Sequence, residues 1–213
     1  MENEIVKKDL ENLPASHVTN HYGEEKNINI QHLDKLENNQ VTIIVRHEDS
    51  RGNHYDEEIH YRHDFYNLIV LHKGSELPDR EFVYLKSAAR FSDYTTDEIY
   101  DKNRRLTEKA ISEIRSFPVL IAAENEKYWG EAGDKQMAIY GIMSYLEDTD
   151  SGYKIGFHEL KRLKQQDINN IAFELGMGEP RALMPLNTTH WSIRKIDLAK
   201  VLNDAGLNVP VVS

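Results

Sequence analysis

The sequence predicts an α+β fold, with antiparallel hairpin-built sheets packed against three main helices. Three observations carry that prediction. Turn-forming quartets, Ser50-Arg51-Gly52-Asn53 and Thr149-Asp150-Ser151-Gly152, stand between β-branched or alternating runs, which is the pattern of hairpins. Stretches with apolar residues at helical spacing follow the strands in blocks instead of alternating with them, unlike a chain of βαβ units. Gly74, Pro78 and a run of charges near residues 75–95 then divide the pattern into two small lobes.

The elements follow in order. Residues 1–27 are polar, lack Phe and Trp, and offer only Ile5, Val6, Leu10 and Leu13 against the entropy of ordering, so a flexible acidic N-terminal arm is expected. One or two helical turns over 28–36 lead to a β-branched strand at 41–45, which returns after the turn as a second strand at 54–62. A third strand is expected at 65–71 and a short one at 81–85, which completes a hairpin-rich lobe over residues 28–90. Thr95 followed by Glu98 fits a capping box, and Ile99, Leu106, Ala110, Ile111, Ile114 and Phe117 continue as one long helix until Pro118 stops it. Residues 119–123 read as a buried strand, 129–133 as a loop, and 137–146 with 153–163 as a hairpin. Ile168, Ile171, Ala172 and Leu175 form the next helix, with Asp167 as N-cap and Gly176 as a left-handed stop. The final helix is expected to begin at Ser192, to turn Ile193, Ile196, Val201, Leu202 and Ala205 inward, and to end at Gly206. Together these make an α+β lobe over 91–213.

Composition narrows the function. The chain of 213 residues carries 36 acidic and 26 basic groups, a formal charge of −10, which disfavours non-specific nucleic-acid binding because phosphate neutralisation needs a basic patch. Residues 1–40 hold eight acids against four bases and residues 130–213 eleven against nine, with both signs interleaved, unlike a dense carboxylate mimic of DNA. There is no cysteine, which removes thiol catalysis and cysteine zinc sites and fits a reducing compartment. No export leader and no membrane span is expected from the apolar pattern, so the expected location is cytoplasmic.

Two constellations hold candidate chemistry. Five of the ten histidines, His47, His54, His60, His63 and His72, fall within 26 residues. If Asp49 pairs with His54, then His47, Asp49, His54 and Asp56 share one hairpin face and form a divalent-metal or acid/base group. A one-residue slip scatters them to both faces. The second constellation is Glu124 at the end of an apolar strand, with Tyr128 and Trp129 as an aromatic wall and His190 from a later segment, a set suited to a small ligand or a partner. Asp148, Asp150, Glu159 and Lys161 have the ingredients of a nuclease metal site. With Asp148 paired to Tyr153, however, Glu159 falls opposite Ile142, about 17–20 Å along the strand. The adjacent His63-Asp64 resembles the dipeptide of metal-dependent phosphohydrolases, a family that needs further His and Asp ligands.

Leu186-Asn187-Thr188-Thr189-His190-Trp191-Ser192-Ile193-Arg194-Lys195-Ile196-Asp197-Leu198 resembles a segment of uncharacterised bacterial proteins, some associated with phage defence or mobile elements. The resemblance implies a bacterial defence-associated context and carries no catalytic assignment. With no complete active-site pattern in view, the expected function is a non-enzymatic protein-interaction or sensor protein, without a cofactor. Its expected partner is another protein or a second copy of the chain docked on an edge strand. The alternative is a metal-dependent hydrolase or nuclease using the His/Asp-rich hairpin and a divalent cation.

Overall fold

The computed structural model describes residues 60–86, 95–103, 105–127, 130–178 and 184–212 in full, and before them the backbone of five strands. The chain divides into two compact units, Met1–His60 with Val212–Ser213, and Tyr61–Val211.

The first unit contains β1 (Ser16–Thr19), β2 (Glu25–Ile30), β3 (Gln40–Val41), β4 (Ile44–Glu48) and β5 (His54–Glu58). Four of them form an antiparallel sheet in the order β1-β2-β4-β5. Ile28, expected to open a helical turn, lies in β2, and Ser16–Thr19 turns part of the expected arm into a strand paired with it. Residues 1–15 and 20–24 lie outside the described residues.

The second unit holds β6 (Tyr66–Leu71), β7 (Glu81–Leu85), β8 (Pro118–Ala123), β9 (Met137–Asp148), β10 (Gly152–Lys164) and β11 (His190–Arg194) in one six-stranded sheet. Its order is β11-β6-β8-β9-β10-β7. Among the described residues four helices accompany it: α1 (Asp97–Asn103), α2 (Glu108–Arg115), α3 (Gln165–Asn170) and α4 (Leu198–Asp204), with the short strand β12 (Val211–Val212) after them. The fold is α+β. Residues 61–90, expected with the hairpin lobe, supply two strands of this sheet.

The sheet is mixed, because β6 and β8 pair in parallel while the other neighbours run antiparallel. A parallel pair needs a crossover, and the segment between Leu71 and Pro118 supplies it with β7, α1 and α2. Both central strands are buried at every position, as a sheet covered on two faces requires. On one face Tyr66, Leu68, Leu120, Ala122 and Tyr140 meet Ile168 of α3 and Leu198 and Leu202 of α4. On the other, Ile69, Val119, Ile121 and Ile139 meet Ile99 of α1 and Ile114 of α2. The Tyr84 hydroxyl, on one outer strand, donates to Val70 O at 2.9 Å, and the Tyr153 ring lies 5.7 Å from that of Trp191. Contacts between strands so far apart in the order show that the sheet curls over its second core.

Three helix boundaries differ from the sequence expectation. The long helix from Thr95 is two helices, because Thr107 accepts from Ala110 N and starts α2 afresh. The Thr95 hydroxyl instead accepts from Ile193 N at 3.0 Å and so anchors β11. Ser192 caps nothing: it lies in β11 opposite Leu68, where Trp191 and Ile193 follow the two-residue period of a strand. Asp197 is the cap of α4, accepting from Lys200 N at 3.0 Å. Asp167 sits in the first turn of α3, not at its cap, while Gly176 takes the expected left-handed conformation at φ 71°. Among the described residues no helix is long and apolar enough to cross a membrane.

Candidate functional site

In the second unit, β6 and β8 point their carboxyl ends the same way, at Leu71 and Ala123. Because β9 and β11 run antiparallel to these strands, their amino ends arrive there too, and β10 reaches the same edge at Lys164 opposite Met137. Topology alone thus gathers residues 72–77, 124–127, 133–136, 165–169 and 185–190 at one edge of the sheet. In sheets with a parallel centre, such an edge is where loops meet a ligand.

Side-chain amides knit the edge together. Asn125, 4% exposed, donates through Nδ2 to Asn187 Oδ1 at 2.9 Å and Asn169 Oδ1 at 3.3 Å. Its Oδ1 accepts from Gln165 Nε2 and Asn169 Nδ2, both at 2.9 Å. Gln165 Nε2 also donates to Ala123 O at 2.8 Å, and its buried Oε1 has no hydrogen-bond partner. The cluster fastens the loop after β8 to α3 and to the 3-10 turn Pro185–Asn187, whose Leu186 O accepts from Asn125 N. Gln136 makes a second clamp: Nε2 donates to Glu124 O at 2.7 Å, and Oε1 accepts from Glu126 N and Gly133 N.

The charged groups at this edge are also held. Glu124 Oε1 accepts from Thr189 N at 2.6 Å and from the Thr189 hydroxyl. His190 is wholly buried, and its Nδ1–H donates to Thr188 O at 2.7 Å, which fixes the tautomer. Burial, and secondarily the Glu124 charge, push the Tyr84 phenol up from its ordinary value. Arg162, held by Glu159 at 2.6 Å, is raised by that hydrogen bond. A cleft of about 430 Å³ opens beside the network between the loop after β6 and the strand ends of β9 and β10.

The structure brings Glu124 and the segment of His190 together, but through Thr189, the neighbour that sequence reasoning passed over. Tyr128 and Trp129 lie outside the described residues. In the first hairpin Glu48 pairs with His54, His47 with Tyr55 and Arg46 with Asp56. This backbone register is one residue off the Asp49–His54 pairing. Asp49 lies outside the described residues. Among the described residues no group of three His, Cys, Asp or Glu is placed to hold a metal ion. Asp64, of the His63-Asp64 dipeptide, is paired with Arg62 at 2.6 Å, and that hydrogen bond lowers its pKa.

The second hairpin pairs Tyr153 with Asp148 as expected, yet Glu159 stands opposite Gly141 because a register shift at Gly156/Phe157 adds a residue. Glu159, opposite Gly141, stays well along the strand from Asp148. The residues that the sequence did not single out are the amides Gln136, Gln165, Asn169 and Asn187. Their signal was positional for three of them: Gln136 precedes β9, Gln165 follows β10 and Asn187 lies shortly before β11, whereas Asn169 lies within α3. The chain matches no protein-family model, no curated protein and no solved structure.

Proposed function

We propose that this chain is a non-enzymatic sensor or interaction protein that reads a small polar ligand at the carboxyl end of β6 and β8. One observation carries the reading. The polar groups there are bonded to one another in a neutral amide lattice, with Glu124 committed to Thr189 and His190 Nδ1 to a backbone carbonyl, beside a cleft of about 430 Å³. Such a lattice is pre-organised for recognition. The segment that resembles defence-associated bacterial proteins supplies Asn187 and Thr189 to this lattice, which supports placing the protein in such a system, at work in the cytoplasm. Ligand occupancy would be relayed to a protein partner or a second copy through the loops that the lattice ties together.

Native mass spectrometry of the protein purified gently from its own host tests the reading. A non-covalent small-molecule mass or a bound second polypeptide is the expected result. A stoichiometric divalent metal with turnover of a phosphoester substrate would overturn it in favour of a hydrolase.

A further inference from the structure

The charges that line the cleft are sorted by the order of the strands. Glu76 follows β6 and Glu126 follows β8, whereas Lys135 enters β9 and Arg162 lies near the end of β10. These strands are consecutive in the sheet, β6-β8-β9-β10, so both acids stand on one half of the cleft and both bases on the other. Neighbouring strands are about 4.8 Å apart, which sets the change of sign in the middle of the cleft within reach of one small molecule.

The two acids and Lys135 are not paired with one another, whereas Arg162 is paired with Glu159 outside this set. Among the described residues Glu76, Glu126 and Lys135 make no ion pair within 4.0 Å. Arg162 gives Nε and Nη2 to Glu159 and has Nη1 left over. Glu76, Glu126 and Lys135 are exposed, so a ligand can enter without unfolding anything.

The backbone in the middle of the cleft is clamped. A Cβ placed on Gly133 would fall 2.1 Å from Glu126 Oε2, so the exposed carboxylate lies against the bare backbone of Gly133. Gln136 bonds to both Glu126 N and Gly133 N and keeps that backbone beside Lys135. Acids on one half of the cleft, with Lys135 and the spare Nη1 of Arg162 on the other, complement a molecule that carries both signs itself.

We propose that the cleft binds a small zwitterion of the free α-amino-acid class, its ammonium facing Glu76 and Glu126 and its carboxylate facing Lys135 and Arg162. This rests on the sensor reading and gives it a ligand.

The test is isothermal titration calorimetry of the full chain with each of the twenty free α-amino acids. For the tightest binder, the N-acetyl and carboxamide derivatives follow, each of which lacks one of the two charges. At least one amino acid should bind, and both derivatives should bind at least about ten-fold more weakly, the scale of one charge-assisted hydrogen bond. Gly133→Ala, which displaces only the mobile end of Glu126, should weaken binding about ten-fold with an unchanged melting temperature. Lys135→Met should do the same from the other side. Derivatives that bind as well as the parent, or a panel with no binder, would overturn the zwitterion. Two results separate the readings: a host ligand carrying one charge or none leaves the sensor standing, whereas a chain with no ligand and no partner sinks both.

Discussion

Asn125→Ala should destabilise the second unit by about 3 kcal/mol, and the figure follows from the amide lattice. The substitution removes two hydrogen bonds donated by Nδ2 and two accepted by Oδ1. Gln165 Nε2 keeps Ala123 O and so suffers little. Asn169, 1% exposed, loses a partner at both ends of its amide, and each buried polar group left unsatisfied costs about 1–3 kcal/mol. A water entering the vacated space repairs part of the loss, which sets the expectation near the lower half of the sum. Asn125→Asp is the sharper probe, because it preserves shape but puts an acceptor oxygen where an amide donor faced two acceptors, Asn169 Oδ1 and Asn187 Oδ1. Only the protonated acid restores one of these bonds, so its folded-state pKa rises above the unfolded value of about 4. The variant is then closest to wild type below that pH and loses ground as pH rises. Urea denaturation followed by circular dichroism at pH 7 and pH 4 measures both. Asn125→Ala within about 1 kcal/mol of wild type, or Asn125→Asp equal to wild type at pH 7, would refute the reasoning.

Other residues give independent tests. Asn67 is fully buried, donates to Ile114 O at 2.9 Å and Phe117 O at 3.3 Å, and accepts from Trp191 Nε1 at 3.1 Å. Asn67→Leu should therefore cost about 3–5 kcal/mol in chemical denaturation; a loss below about 1 would contradict its bridging role. Thr107→Ala removes the cap of α2 and should cost about 1 kcal/mol by the same assay; an unchanged stability would contradict the restart of the helix at Thr107. Burial, and then the charge of Arg80, hold His158 at about 4, down from 6.5. The unfolded chain therefore binds the extra proton first, and stability should fall by about 3 kcal/mol as pH drops from 6.5 to 4, then level off. His158→Gln should remove that slope; parallel stability–pH curves for variant and wild type would count against it.

Much of the fold was legible because local chemistry agreed with the final structure. The Thr149–Gly152 turn, the Tyr153–Asp148 register and the Gly176 stop follow from turn and cap residues alone. The parallel pair was harder to see, since apolar runs such as 68–71 and 119–123 fit a buried strand of either direction. Their unbroken burial, read as two-sided cover, was the available hint. Ser192 shows tertiary context overriding a cap signal: Trp191 and Ile193 on either side of it are buried as strand residues paired with β6. At the site, Glu124 and the His190 segment were legible as polar residues bordering apolar strands. The amides were not, because Asn and Gln have no motif and gain meaning only when topology brings 125, 165, 169 and 187 together. A bulge cannot be counted from spacing, which is why Glu159 moved by one partner.

Hydrogen exchange of the full chain, with and without the dialysable small-molecule extract of its own host, tests the central claim most directly. The account predicts slower exchange over 72–77, 123–127, 133–137 and 185–190, the segments at the carboxyl end of the parallel strands. Unchanged exchange there, or protection confined to the β7 edge at 81–85, would contradict it.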